Sequence, residues 1–174
     1  AKDIKETTEQ WAGIKVSVGA APTKVLSKIA NRLSKKNKIA TDGVMVLNTK
    51  EKITDALQKT AVGDIWGVGG RYAFRLKEMY GISNALQLSK MSTEWAGKNL
   101  GGVVGVRLIK ELNGEPCIEM KDPLEKKKMI ATTRMFGIPV HDIDSLKEAV
   151  ATYTSRAAEK LRRQYCAAKY INVF

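Results

Sequence analysis

The chain has 174 residues, 30 of them Lys or Arg against 18 Asp or Glu, giving a formal net charge of +12, and 44% of it is hydrophobic. That is enough apolar material for a packed core and too much for a disordered tail. No run approaches the roughly 18 apolar residues of a membrane helix, and the lone His141 excludes a His-rich metal site.

The opening residues 1–6 carry neither a signal-peptide nor a transit-peptide pattern. Cys117 and Cys166 match no metal spacing and no disulfide scaffold, so a reduced, cytoplasmic setting is expected. The length allows one ordinary domain or two to three small ones.

Residues 4–11 read as the end of a helix. Residues 14–19 alternate apolar and polar side chains, the period of a half-exposed strand. Ala21-Pro22-Thr23 then turns the chain into a helix reaching about Lys36, and residues 43–47 form a short apolar run expected to be a buried strand. Strand, helix and strand are too little to stand alone.

Residues 49–114 are helical in period with repeated glycine breaks, which fits a small all-α module. Around Glu115-Pro116 the period stops, and 119–128 reads as a charged linker. Residues 129–136 are strand-like, and Ser145 with Glu148 forms a capping box expected to open a helix to about Gln164. Its apolar stripe is Leu146, Ala149, Val150, Tyr153, Ala157 and Leu161. Residues 169–174 are again β-rich, and a strand there without a hairpin partner suggests truncation and exposed strand edges prone to self-association. The fold class is therefore α+β in several pieces: a small α/β piece, an all-α middle and a partial βαβ end.

Basic residues recur along the chain instead of forming one tail. From Trp11 to Thr41 there are seven (Lys15, Lys24, Lys28, Arg32, Lys35, Lys36, Lys38) and no acid. Arg71, Arg75 and Lys77 lie between Asp64 and Glu78, and Lys126–Lys128 with Arg134 lie between Glu125 and Asp142. A long polyanion touching several segments accounts for this better than a merely solvated surface.

Two constellations sharpen that reading. On a helix over 23–36, Lys24, Lys28, Arg32 and Lys35 fall within an arc of roughly 80°, opposite Val25, Leu26, Ile29, Ala30 and Leu33. No acid stands at i±4 to pair with them, unlike an ordinary solvated face. The second is Ile65-Trp66-Gly67-Val68-Gly69-Gly70 between helical segments. It is not a dinucleotide fingerprint, because no strand precedes it and Tyr72 stands where the last glycine belongs. It reads as a helix-hairpin-helix whose bare amides reach a phosphate, with Ile65 and Val68 as core anchors and Arg71 and Arg75 beside the phosphate. A looser copy spans 100–107, with Gly105 and Arg107 leading into a helix. Trp66 and Trp95 read as core residues.

On VSVGAAPTKVLSKIAN at 16–31, IWGVG at 65–69 and TRMFG at 133–137, in that order, the chain resembles the Y-family translesion DNA polymerases, specifically their UmuC branch. The resemblance covers essentially all of 1–174 and implies a fragment: the end of the palm at 1–48, a helical thumb at 49–118, a linker at 119–128 and the start of the little finger at 129–174. It implies that Lys35, with Lys28, contacts the triphosphate of an incoming nucleotide. It further implies that Lys24, Arg32, Trp66, Gly67, Val68, Gly69, Gly70, Arg71, Gly105, Arg107 and Arg134 belong to the DNA-binding set.

Gly70 and Arg71 stand where the family often has two basic residues, which weakens the hairpin by one charge. The resemblance implies Mg2+ held by palm carboxylates, one near the chain start and an Asp-Glu pair before the SVG strand; neither motif occurs here, so no catalytic residue is assigned and the segment alone is expected to be inactive. In the full-length protein it also implies UmuD-like subunits and a sliding clamp as partners. The alternatives left by the residues themselves are a non-enzymatic helix-hairpin-helix repair module and a basic RNA-binding protein.

Overall fold

The computed structural model describes residues 1–119 and 126–173. They fall into two compact units, meeting in sequence at Met120 and Lys121.

The first unit opens with α1 (Lys2–Ala12), β1 (Val18–Ala20), α2 (Lys24–Lys36), the short α3 (Lys38–Thr41) and β2 (Val44–Val46). The strands are shorter than the alternation at 14–19 predicts, and they pair in parallel with Gly19 opposite Met45. A parallel pair needs a crossover, and α2 supplies it. Thr23 caps α2 by accepting from the Leu26 N–H at 3.3 Å. Helix and strand meet closely: a Cβ on Gly19 would stand 2.2 Å from the Asn31 nitrogen. Asn31 also donates through Nδ2 to the Ser17 carbonyl at 2.5 Å.

The chain continues through α4 (Lys50–Lys59), a 3-10 turn (Val62–Asp64), α5 (Gly70–Tyr80), α6 (Ala85–Ser89), α7 (Thr93–Asn99) and α8 (Val103–Leu112). Side-chain caps mark most starts: Thr49 for α4, Asn84 with Gln87 in a reciprocal box for α6, and Ser92 for α7. α5 and α8, which follow the glycine turns, have none. Leu26 and Ile29 of α2 share one buried core with Leu57, Leu76, Leu88 and Leu112. The strand–helix–strand piece thus obtains from the helical module the burial it could not supply alone.

The second unit holds α9 (Ile143–Arg163). Its cap is Asp142, whose Oδ1 accepts from the Ser145 N–H at 2.7 Å, so the helix begins before the Ser145–Glu148 box that the sequence suggests. Asp142, one residue ahead of the helix, takes the N3 donor of Ser145, three residues before the Glu148 N–H that the predicted box would use. The stripe Ala149, Val150, Tyr153, Ala157 and Leu161 is its half-buried side, while Leu146 is exposed. No strand occurs among the described residues of this unit. Residues 129–136 and 169–173 find no ladder partner there, and a β-rich segment without one does not become a strand. The expected partial βαβ end is therefore a single long helix with irregular flanks. Of the predicted linker, residues 120–125 lie outside the described residues, as does Phe174. No helix among the described residues is long and apolar enough to cross a membrane.

Candidate nucleic-acid interface

α2 divides its faces as its sequence dictates. Val25, Leu26, Ile29, Ala30 and Leu33 are buried; Lys28, Arg32, Lys35 and Lys36 line the opposite side, and Lys24 is half-buried. Lys24 Nζ donates to the Glu119 carbonyl. Lys28 and Lys35, two turns apart, form no ion pair among the described residues. The helix's own N-terminus is closed by an internal anion. Glu111 is fully buried and accepts from the Val25 N–H at 3.1 Å and from those of Cys117 and Ile118 at 2.7 and 3.0 Å. Burial pushes this carboxyl up, but the backbone donors outweigh it and hold the group below its ordinary value. The N–H groups that open α2 are thus engaged inside the fold, which leaves its side chains as the groups open to an outside anion.

The acid-free stretch does have a carboxylate partner, from a distant segment. Asp64, in the 3-10 turn before the first glycine hairpin, ion-pairs with Arg32 and, at 2.9 Å, with Lys36. The Lys36 hydrogen bond and the Arg32 contact outweigh desolvation and hold the Asp64 carboxyl below its usual range. The two constellations are joined through this residue.

In the first turn Ile65 and Val68 are buried as anchors, whereas Trp66 is 48% exposed and is not the core residue its type suggests. Nothing lies within 4 Å of a Cβ placed on Gly67, Gly69 or Gly70. Gly67 has φ +97°, a conformation that favours glycine. These glycines leave open the uncapped N-terminus of α5, where free N–H groups and the helix dipole favour an anion. Arg71 is exposed beside it. Arg75 is not: its guanidinium donates to the Asn99 carbonyl and lies 5.2 Å over the Tyr72 ring. The element before the turn is one 3-10 turn, not an α-helix.

The second turn, between α7 and α8, has full α-helices on both sides. Gly101 and Gly102 have φ +82° and +69°, and α8 starts at Val103, earlier than expected. Arg107 is exposed on its first turns. Gly105 has another purpose: a Cβ there would meet the Ala96 carbonyl oxygen at 2.5 Å and Leu100 Cβ at 2.6 Å. It lets α7 and α8 pack closely and is buried. The Tyr72 hydroxyl lies 3.1 Å from where a Gly101 Cβ would stand; together with the Arg75–Asn99 bond this sets the two glycine turns side by side. Tyr80 adds a hydrogen bond to Asn99 at 2.7 Å and an edge-on contact with half-buried Trp95.

In the second unit Arg134 is exposed and donates to its neighbour, the Thr133 carbonyl. It shares a shallow groove with Arg156, Lys160 and Arg163 of α9, cations that sequence reasoning passed over although their 4 and 3 spacing was visible. Among the described residues no three His, Cys, Asp or Glu side chains converge as metal ligands. The described residues thus offer no cluster of ligands that fits Mg2+.

Residues 127–174 match the impB/mucB/samB family C-terminal domain. Over 99% of its length the chain is 39% identical to Protein UmuC of Salmonella typhimurium and 34% identical to Protein MucB of Escherichia coli, covering 40% of each. It is 32% identical to DNA polymerase IV of Treponema denticola over 83% of this chain and 34% of that protein. Among solved structures, a Dbh DNA polymerase insertion ternary complex shares the fold at 22% identity and TM-score 0.53, covering 91% of this chain and 44% of that one. The chain spans about two-fifths of the length of the UmuC and MucB proteins it matches. Over nearly its whole length the chain is therefore similar to one stretch of the UmuC and MucB proteins, and its last 48 residues carry their family's C-terminal domain.

Proposed function

We propose that this chain is the DNA-gripping stretch of a translesion DNA polymerase, a template-directed nucleotidyl transferase. In this reading residues 1–48 end the palm, 49–118 form the thumb and 129–174 begin the little finger. The two glycine turns, with Arg71 and Arg107, hold backbone phosphates of primer–template DNA without reading sequence. Lys28 and Lys35 face the triphosphate of a deoxynucleotide, and Arg134 tracks the duplex backbone. Mg2+ chemistry and contacts to UmuD-like subunits or a sliding clamp belong to the whole protein.

The observation that carries the reading is the unbroken linkage within one unit: α2 to Asp64, Asp64 to the first open glycine turn, and Tyr72 and Arg75 to the second. Isolated turns would be ordinary; joined to a cation row, they form a polyanion track. The test is primer–template binding at several salt concentrations beside primer extension with Mg2+. Steeply salt-dependent binding, indifferent to sequence and without extension, is expected. Salt-insensitive binding, or extension by this chain, contradicts it.

A further inference from the structure

We infer that Asp64 is a specificity-determining residue of the α2 cation row: an internal carboxylate that a phosphate must displace from Arg32 and Lys36. The inference rests on the polyanion reading above and adds to it a competitor built into the site. Asp64 is largely enclosed while its partners are about half exposed: the side chains are 22%, 49% and 58% accessible. A ligand therefore reaches the two cations from solvent, but finds them already satisfied.

The consequence is a charge filter. Arg32, Lys36 and Asp64 together carry one positive charge, so a lone phosphate exchanges one anion for another and gains little. A ligand that also engages Lys28 and Lys35, on the same helix without acidic partners among the described residues, gains enough to displace the carboxylate. Polyphosphates and phosphodiester chains fit that description; single phosphate ions do not. Displacement also unlinks α2 from the turn that opens at Ile65, because Asp64 is the ionic contact between them.

The test compares the whole chain with D64N and with D55N, which adds the same charge at the exposed Asp55–Lys59 pair of α4. The probes are a short duplex oligonucleotide and inorganic phosphate. D64N is expected to bind the duplex roughly fivefold tighter near 0.1 M salt and to steepen the log–log salt slope by about 0.9, the increment for one more effective charge. It is also expected to gain measurable affinity for inorganic phosphate, while D55N gains neither. In an R32A/K36A background the D64N gain disappears, which keeps the test decisive if D64N alone alters folding. Duplex binding by the parent with D64N no tighter than D55N, or a gain that persists without Arg32 and Lys36, overturns the inference. Failure of the parent to bind duplex at any salt overturns the underlying reading instead.

Discussion

The Glu111 carboxylate accepts the backbone N–H of Val25, 86 residues away in sequence, at 3.1 Å. Through it α8, the helix that follows the second glycine turn, fixes the start of α2, and Thr23 strengthens the joint by donating to the Glu111 carbonyl at 2.7 Å. The position of the cation row is thus set by the helical module as well as by the strands beneath it.

Glu111→Ala leaves the Val25, Cys117 and Ile118 N–H groups without their acceptor. At roughly 1–3 kcal/mol for a buried unsatisfied group, and allowing for some rescue by water, a loss of about 3 kcal/mol in urea unfolding is expected. Because folding holds this carboxyl below the ordinary glutamate value of 4.5, its contribution is present above that value and lost as pH falls through the folded one. Unfolding midpoints of the parent should therefore drop below pH 4.5 more steeply than those of the variant. Parallel profiles would remove Glu111 from this role.

Gly19→Ala tests the contact between α2 and β1. With Asn31 backbone 2.2 Å from the new methyl group, helix and strand must separate, at a cost of about 3 kcal/mol. A melting curve unchanged from the parent would show that the helix can move away freely.

The glycines of the two turns should behave in opposite ways. A Gly69→Ala and Gly70→Ala double variant places methyl groups in open space and is expected to change stability by less than about 1 kcal/mol. It should nevertheless weaken duplex binding about tenfold, by obstructing the amides that contact phosphate. Gly105→Ala should do the reverse, destabilising the fold by about 2–3 kcal/mol because α7 leaves no room for it. Calorimetry and binding on the same samples separate the two.

Much of this arrangement is legible in the sequence where the signal is local. The spacing of Lys24, Lys28, Arg32 and Lys35 against Val25, Leu26, Ile29 and Leu33 fixes both faces of α2, and the glycines at 67–70 mark an open turn. What escapes are partnerships between distant segments. Asp64 sits 32 residues beyond Arg32, so a search for acids at i±4 could not find it. Glu111 lies among Lys110 and Leu112 in an ordinary helical pattern, and nothing nearby signals burial. Gly105 looks like a turn glycine by its neighbours and is a packing glycine by the atoms around it. The strand-like run at 129–136 failed for the same reason: local composition describes one strand, but pairing needs a second.

The most direct test of the polyanion track is the salt dependence of binding to primer–template together with a deoxynucleoside triphosphate by a Lys28→Ala, Arg32→Ala, Lys35→Ala variant against the parent. With phosphates neutralised by these side chains, affinity should fall and the log–log slope should become shallower by roughly 0.9 for each phosphate left without its cation. The melting temperature should stay within a few degrees, because all three side chains lie on the face of α2 turned away from the core. An unchanged slope in a folded variant would take α2 off the path of the nucleic acid and contradict the account.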